Sequence, residues 1–348
     1  MSGRMKAAFI HAPGDIRYEE TDVPELRPDE VLVEVKANGI CGSDIHFYEE
    51  GRLGPFVVDR PYIPGHESSG VVSEIGSEVK GLECGDRVVP EPGIPCRKCS
   101  ICKSGRYNLC RSVYFMSAPP VNGLMAEYMA VPFDFVFKVP DSVSFEEAAL
   151  VEPVAVALHA CNRGELAAGD DVAILGAGPI GLAIMMVALA RGAGKVVLVD
   201  LIESRLGVAK SLGASEAINA ASENVEEALL EVTDGLGPRL VFEAAGSKAT
   251  SAMAVELARP GGAVVIVGWP GGGRFPYPVE RILELELDVH GVRRYANDFP
   301  AAISLIAGKR VDAPALITHR FPLEKVAEAF QFVAKNKDKV IKALVLNQ

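Results

Sequence analysis

The sequence predicts an α/β protein with two domains, and three observations lead to that prediction. The chain has 348 residues, more than one domain of ordinary size holds. Near residue 153 its pattern changes from short Val-rich runs to apolar strands that alternate with helical segments. Hydrophobic residues make up 49% of the chain and charged residues 23%, so a packed core is expected and bulk disorder is excluded.

The first 150 residues predict a β-rich domain. The candidate strands are VLVEVKA, SGVVSEIG and GDRVVP, at residues 31–37, 69–76 and 85–90. Each run is rich in Val and is bounded by Gly, Pro or Asp, which is typical of strands. No helical period persists in this part, so irregular connections are expected between the strands.

The middle of the chain predicts a parallel sheet with helices on both faces. Its candidate strands are apolar throughout and are joined by helical crossovers. They lie at residues 172–175, 195–200, 239–244, 262–268 and 286–292. Further on, FPLEKVAEAFQFVAKNK has helical spacing and KVIKALVL is a candidate closing strand. We therefore predict one domain at residues 154–289, and a second formed by residues 1–153 and 290–348.

Charge and cysteine content narrow the class of protein. The 35 basic and 46 acidic residues give a net charge of −11, which disfavours binding to nucleic acid or an anionic membrane. The seven cysteines, four of them in one short stretch, indicate a metal site rather than disulfides. No signal peptide is recognised, so a cytoplasmic protein is expected. Uncharged residues 172–190 approach membrane-spanning length, but their early Gly and Pro residues favour a strand, a turn and a helix.

Four cysteines form the strongest local motif, C-x2-C-x2-C-x7-C. They are Cys96, Cys99, Cys102 and Cys110. Four thiolates can complete a tetrahedral shell around Zn²⁺ and leave no open position, which predicts a structural zinc site. The alternatives are buried or disulfide-bonded cysteines, and an iron–sulfur cluster, which other spacings usually serve.

A glycine-rich turn predicts a dinucleotide site. Gly176, Gly178 and Gly181 form G-x-G-x-x-G after the strand VAIL, and Pro179 and Ile180 open the apolar helix that follows. A strand, such a turn and a helix are the context of a Rossmann domain, in which the pyrophosphate lies at the helix N-terminus. An α/β domain with a glycine turn and no nucleotide is the alternative.

The residue that ends the next strand predicts NAD rather than NADP. Asp200 can accept hydrogen bonds from a ribose 2′-hydroxyl and would repel a 2′-phosphate. Arg205, five residues further on, would soften that preference.

Several other residues are individually weak candidates. Cys41, His66 and Glu67 can all bind zinc, although a lone Cys is most often a buried apolar group. Glu152 lies in the apolar run ALVEPVAVALHA, where a buried carboxylate needs a partner or a function.

The remaining candidates receive structural interpretations. His159 is expected to be a hydrogen-bonded interior histidine, and Cys84 and Cys161 to be packed thiols. The basic residues near the C-terminus are expected on a solvated helix end and strand edge: Lys335, Lys337, Lys339 and Lys342.

Together these motifs resemble the zinc-dependent medium-chain alcohol dehydrogenases along nearly the whole chain. GHESSGVVSEIGSEVKGLECGDRV is similar to that family's zinc signature, and the four-Cys loop and the glycine turn follow in the family's order. Within the family, ICGSDIHFYEEGRLG, GRYNLC, VEPVAVALHAC and GVRRYAN look most like the sorbitol and xylitol dehydrogenases.

The resemblance implies a Rossmann NAD-binding domain, a β-rich GroES-like catalytic domain and two zinc ions per chain. It assigns Cys41, His66 and Glu67 as ligands of the catalytic zinc. Glu152 is implied to reach that zinc through water or by exchange with Glu67. The four-Cys loop is implied to hold a structural zinc.

The resemblance also implies roles near the substrate. Ser43 and His46 match a proton relay, and Arg294 and Tyr295 match residues lining a polyol site. Phe47 stands where animal sorbitol dehydrogenases carry a tyrosine, which leaves fine substrate preference open. The implied activity is reversible oxidation of a polyol of the sorbitol or xylitol type to a ketose, with zinc as Lewis acid and hydride transfer to NAD. A homotetramer or a dimer is implied, with Rossmann sheets joined edge to edge.

Two alternatives stay open. The first is an NAD-dependent dehydrogenase of another secondary alcohol, L-threonine or 2,3-butanediol, although threonine dehydrogenases usually carry Thr where Ser43 stands. The second is a non-catalytic relative that keeps the fold, against which the complete set of zinc-capable residues argues.

Overall fold

Strands from the two ends of the chain pair with one another, while those of the middle form a separate sheet. The computed structural model describes residues 3–347. It divides them into two units: the second contains Pro153–Asp298 and Gly308–Asp312, and the first contains the remaining residues. The predicted boundary at residue 153 lies within one residue of this division, whereas residues 290–298 and 308–312, which were predicted for the first domain, group with the second.

Residues 3–150 contain eleven strands and three short α-helices. The strands are β1 (Arg4–Ala12), β2 (Asp15–Asp22), β3 (Glu30–Ile40), β4 (Arg52–Leu53), β5 (Phe56–Val57), β6 (Glu67–Ile75), β7 (Arg87–Pro90), β8 (Gly93–Ile94), β9 (Tyr114–Phe115), β10 (Tyr128–Pro132) and β11 (Val136–Lys138). The helices are α1 (Gly42–Glu50), α2 (Ser100–Lys103) and α3 (Phe145–Ala149). The three predicted strands are confirmed as β3, β6 and β7. The sequence did not predict α1, whose residues show no clear apolar period.

The middle of the chain alternates strands and helices. It comprises α4 (Val151–Arg163), β12 (Val172–Leu175), α5 (Pro179–Ala190), β13 (Val196–Asp200), α6 (Glu203–Ser211), β14 (Glu216–Asn219), α7 (Val225–Val232), β15 (Leu240–Glu243), α8 (Lys248–Leu257), β16 (Ala263–Ile266), α9 (Val279–Glu284) and β17 (Asp288–Gly291). The sheet is parallel and has the order β14-β13-β12-β15-β16-β17. This is the doubly wound order of a Rossmann domain, which confirms that prediction. The four-residue strand β14 was not predicted.

The end of the chain returns to the first sheet. It contains α10 (Phe299–Ala307), β18 (Ile317–Pro322), α11 (Val326–Lys335) and β19 (Lys342–Leu346), so the predicted late helix and closing strand are confirmed. The first sheet has the order β11-β7-β6-β3-β19-β18, with β10 also paired to β3. Strand β3 therefore lies between β6 and β19. This order places the end of the chain next to the segments that carry the candidate metal ligands Cys41, His66 and Glu67.

Each unit has its own apolar core. The core of the first unit includes Tyr62 and Phe330, both fully buried, and that of the second includes Val241 and Val264 from adjacent strands. Uncharged residues 172–190 divide into β12, a turn and α5, as predicted. Among the described residues, no helix is both long and apolar enough to span a membrane.

Candidate metal and cofactor sites

Three zinc-capable side chains from two separate segments converge in the first unit. Cys41 follows β3 and is the N-cap residue of α1, while Glu67 is the first residue of β6 and His66 immediately precedes it. One potential ligand atom from each residue lies within 4.8 Å of the other two. His66 and Glu67 are 5% and 1% exposed. A thiolate, an imidazole and a carboxylate form a plausible zinc donor set, and three protein ligands leave a fourth position for substrate.

Asp44 forms hydrogen bonds to both ligand-bearing segments, at Cys41 and at Gly65. Its Oδ2 accepts the backbone N–H of Cys41 at 3.0 Å, which completes a capping box at the start of α1. Its Oδ1 accepts the Ser117 hydroxyl at 2.9 Å and the N–H of Gly65 at 3.3 Å. Asp44 is fully buried. Asp44 was not among the residues predicted for the site, and its local signal in the sequence is its position three residues after the N-cap Cys41.

The electrostatics of the group suit a cation. Burial by itself lowers the pKa of His66, but the charges of Cys41 and Asp44, together with that of Glu152, raise it to about 10. The buried Nδ1 of His66 has no hydrogen-bond partner among the described residues and lies 3.8 Å from Oδ1 of Asp44. An anionic environment that favours a proton on the imidazole also favours a divalent cation, so the residues fit zinc.

Lys342 contacts this group directly. Its Nζ lies 2.7 Å from Oε1 and 2.6 Å from Oε2 of Glu67, and 3.3 Å from the carbonyl oxygen of Ile40. Burial lowers the pKa of Lys342, but the charges of Glu67 and Cys41 outweigh it and raise the pKa above its ordinary value. The prediction of a solvated lysine was wrong because β19 pairs with β3 inside the sheet, leaving Lys342 2% exposed.

The other predicted catalytic residues of the first unit lie on two helices, α1 and α4. Glu152 is 8% exposed at the start of α4; its carboxylate is outside the group of three, but its charge raises the pKa of His66. Ser43 and His46 are both on α1. The half-exposed His46 ring bonds through Nδ1 to Oε1 of Glu50, at 2.9 Å.

The four motif cysteines form a second group. Their sulfur atoms all lie within 4.8 Å of one another, and three of the separations are 3.4, 3.9 and 3.9 Å. A tetrahedral zinc with bonds near 2.3 Å would separate its sulfurs by about 3.8 Å. Backbone N–H groups of Lys98 and Cys99 lower the pKa of Cys96 to about 6, which favours its thiolate. All seven cysteines are free thiols, and Cys161 is buried as predicted, whereas Cys84 is exposed.

The glycine turn in the second unit requires glycine at two positions. Gly176 has a φ of +105°, and a Cβ there would lie 2.8 Å from the backbone nitrogen of Ala245. A Cβ at Gly181 would lie 1.8 Å from the carbonyl oxygen of Gly176. The turn therefore packs against the backbone of Ala245, and Gly181 approaches the carbonyl of Gly176, more closely than a side chain at either glycine would permit.

The start of α5 is open. Gly178 is the N-cap residue, and Pro179 and Ile180 are the first two helical residues. A Cβ at Gly178 would meet nothing closer than Nη1 of Arg205, at 4.0 Å. Free backbone N–H groups, a helix dipole and a nearby guanidinium suit the pyrophosphate of a dinucleotide, so this turn fits the predicted cofactor.

Asp200 stands beside the same turn at the end of β13. Its Oδ2 accepts the N–H of Ala177 at 2.6 Å, and its Oδ1 accepts those of Leu201 and Ile202 at 2.7 and 2.9 Å. The carboxylate is therefore where a ribose-binding acid is expected, and it also holds the backbone of the turn. The sequence did not predict this second role.

Arg294 and Tyr295 lie in a turn after β17 in the second unit. Arg294 has a φ of +54°, which is unusual for a residue with a side chain, and Tyr295 is 2% exposed. The interior hydrogen bond predicted for His159 is confirmed: its Nδ1 lies 3.0 Å from Oδ2 of Asp298.

Comparisons with known protein families agree with both units. Residues 27–141 match the family model of the alcohol dehydrogenase GroES-like domain, and residues 179–308 match that of the zinc-binding dehydrogenases. The chain is 42% identical to sorbitol dehydrogenase of Bacillus subtilis over 98% of its own length and 97% of the relative's. It is 43% identical to human sorbitol dehydrogenase, with 94% and 92% of the two chains covered.

Solved structures give the same result. The crystal structure of 2R,3R-butanediol dehydrogenase of Bacillus subtilis superimposes with a TM-score of 0.90, at 33% identity over 99% of this chain and 100% of that chain. An Escherichia coli alcohol dehydrogenase complexed with NADH and a Sinorhizobium meliloti zinc-binding dehydrogenase bound to NADP each give 0.91, at 31% and 32% identity, over 99% of both chains. This chain therefore belongs to the zinc-dependent medium-chain alcohol dehydrogenases, enzymes that act with a nicotinamide cofactor.

Proposed function

We propose that the protein is an NAD-dependent polyol dehydrogenase that reversibly oxidises a secondary hydroxyl of a sorbitol- or xylitol-type substrate to a ketose. The observation that carries the proposal is the convergence of Cys41 with the buried His66 and Glu67, in a chain 42% identical to a sorbitol dehydrogenase over 98% of its length. Its three donors leave one coordination position for the substrate oxygen.

The chain would hold two zinc ions. Cys41, His66 and Glu67 would bind the catalytic ion, and the four-Cys group would bind a structural ion. When bound, zinc supplies Lewis-acid polarisation of the alcohol and the nicotinamide supplies the hydride acceptor. Lys342 keeps the Glu67 carboxylate in place, and Asp44 keeps the two ligand-bearing segments together.

Ser43 and His46 would carry the hydroxyl proton to solvent. They are three residues apart on α1 and therefore lie on one face of the helix. His46 has a half-exposed ring, and the carboxylate of Glu50 holds its Nδ1, so Nε2 remains for exchange with water. Glu152 would serve as a second carboxylate near the metal, through water or by exchange with Glu67.

Arg294 and Tyr295 would bind the neighbouring hydroxyls of the polyol. A guanidinium offers five donors and a phenol one donor and one acceptor, which suits a chain of hydroxyl groups. The change Arg294→Ala is expected to reduce the polyol kcat/KM by about tenfold or more, because a hydrogen bond from a charged donor is lost. An unchanged value would contradict this role.

Asp200 favours NAD over NADP. Its carboxylate would accept a ribose hydroxyl and would repel a 2′-phosphate, whereas Arg205 near Gly178 limits the discrimination. Equal kcat/KM values with the two cofactors would contradict the preference.

A 2,3-butanediol dehydrogenase is the second candidate, because a solved enzyme with that activity is 33% identical over 99% of this chain. A panel of xylitol, sorbitol, galactitol, L-threonine and 2,3-butanediol with NAD, run with and without a zinc chelator, separates the candidates. The proposal expects a polyol to give the highest kcat/KM and the chelator to abolish the activity. Butanediol as the best substrate would support the second candidate.

We also propose a cytoplasmic homotetramer whose Rossmann sheets join edge to edge. Strand β17 is the last in the sheet order, and three exposed apolar side chains lie on it and on the helix before it: Val279, Leu283 and Val289, 57%, 74% and 42% exposed. Such a patch beside a sheet edge suits pairing with a second copy. Native mass spectrometry of the wild type and of Val289→Lys tests this assembly.

A further inference from the structure

A hydrogen-bond network centred on one buried carboxylate joins the turn that carries Arg294 to helix α4. Asp298 ends this turn and is 5% exposed. Its Oδ2 accepts the backbone N–H of Ala296 at 3.1 Å and faces Nδ1 of His159 at 3.0 Å. Its Oδ1 accepts a hydrogen bond from Nδ2 of Asn162, at 2.9 Å. Since a carboxylate is the acceptor, the Nδ1 of His159 must carry the hydrogen.

A second helix extends the network. Oδ1 of Asn162 accepts Nη2 of Arg191 at 2.6 Å, and Arg191 is the C-cap residue of α5. The turn is thus fastened to two helices of the same unit through one carboxylate. Hydrogen bonds to a buried carboxylate are strengthened by the low local dielectric, so the bonds to Asp298 help to fix the position of the turn.

The turn needs such fastening. Arg294 and Asn297 have φ values of +54° and +63°, in the left-handed region that residues with a side chain rarely adopt. Such conformations persist only where the surrounding structure enforces them, and they concentrate at functional sites. The three hydrogen bonds that Asp298 accepts hold the C-terminal end of the turn.

We propose that His159 and Asp298 are positioning residues for substrate selection: they hold the turn so that Arg294 and Tyr295 meet the additional hydroxyls of a polyol. This inference rests on the proposed function, and it names residues that do not themselves contact substrate. A loosened turn weakens contacts made only by polyhydroxylated substrates, so selectivity for polyols falls more than general dehydrogenase activity does.

The test uses a pair of variants at one position. In His159→Leu the donor to Asp298 is lost, whereas in His159→Asn the side-chain Nδ2 is bonded to Cγ as Nδ1 is in histidine, so the donor is kept. The full-length, zinc-loaded enzyme is measured for the ratio of kcat/KM on xylitol to kcat/KM on 2-butanol, and for amide hydrogen exchange of residues 293–298. Asp298→Asn is a second variant that preserves shape and replaces one acceptor oxygen by a donor.

The inference expects His159→Leu and Asp298→Asn to lower the xylitol/2-butanol ratio about tenfold and to speed exchange of the Ala296 amide about fivefold. His159→Asn should recover most of both changes. A ratio within twofold of the wild type in His159→Leu, with polyol activity present in the wild type, overturns the inference alone. A wild type that oxidises 2-butanol but no polyol contradicts the proposed function as well.

Discussion

Lys342 and Glu67 form a buried ion pair inside the group of metal-ligand candidates, with Nζ within 2.7 Å of both carboxylate oxygens. Both side chains are at most 3% exposed. Removing one partner of a buried pair typically costs about 3–5 kcal/mol, because the other charge is left without compensation. The same carboxylate is a proposed zinc ligand, so protein stability and zinc binding are coupled at this pair.

The variant Lys342→Met tests that coupling. In zinc-free protein we expect the free energy of unfolding to fall by about 3 kcal/mol. Added zinc should stabilise the variant more than the wild type, because the metal then supplies the only cation beside Glu67. Thermal unfolding with and without zinc measures both effects. Lys339→Met, an exposed lysine of the same run, is the control and should behave like the wild type.

Gly39 allows Glu67 its position on the neighbouring strand. A Cβ at Gly39 would lie 2.0 Å from Oε2 of Glu67, so Gly39→Ala should displace the carboxylate and lower zinc affinity at least tenfold. Competition with a chromogenic chelator measures that affinity. Gly42→Ala is the matched control, because a Cβ there meets nothing within 4 Å. Equal zinc affinity in Gly39→Ala and in the wild type would argue against Glu67 as a ligand.

The chain's single tryptophan should report cofactor binding. Trp269 is 55% exposed in the loop after β16. Its carbonyl oxygen lies close to Gly246, only 3.1 Å from where a Cβ at that glycine would be. Because ligands of such sheets bind at the carboxyl ends of the strands, NADH should quench Trp269 fluorescence in the zinc-loaded protein.

Gly178→Val should raise the NADH Kd at least tenfold while keeping the fold, since its side chain would fill the open phosphate cradle. Undiminished NADH binding in this variant would place the dinucleotide elsewhere.

The structural zinc group can be removed separately. Cys99→Ser should lower the zinc content by about one ion per chain and reduce Tm, because four thiolates in a closed shell stabilise the loop that carries them. The remaining zinc should still support polyol oxidation at low temperature. Elemental analysis and differential scanning calorimetry measure the two effects. A variant that keeps its full zinc content would show that the cysteines do not hold the second ion.

The sequence was informative where the signal is local. The four-Cys motif, the glycine turn after VAIL and each apolar strand of the Rossmann sheet are short, continuous pieces of sequence. The structure contains the cysteine group, the turn and the strands. Residues 31–37 and 339–346 were likewise predicted as strands, and they correspond to β3 and β19. Local periodicity and turn chemistry suffice for such elements.

The contacts that sequence reasoning missed are long-range. Lys342 lies 275 positions from Glu67, and only the pairing of β19 with β3 makes them neighbours. Asp298 lies 139 positions from His159. A hydrogen bond was predicted for His159, but the sequence did not indicate which residue would be its partner. Nothing in a single sequence specifies which distant strand or turn supplies such a partner, because tertiary packing decides it. Strand β14 was missed because its sequence EAIN is polar at both ends, unlike the apolar runs VAIL and AVVI of β12 and β16. Helix α1 was missed because its sequence GSDIHFYEE shows no clear apolar period.

Zinc content and xylitol-dependent NAD reduction, measured together on the wild type and on Cys41→Ser, test the central claim most directly. The account predicts about two zinc ions per chain and clear activity in the wild type, and about one ion with activity reduced at least a thousandfold in the variant. Full polyol oxidation by a Cys41→Ser protein that has lost an ion, or by a wild type stripped of zinc, would contradict it.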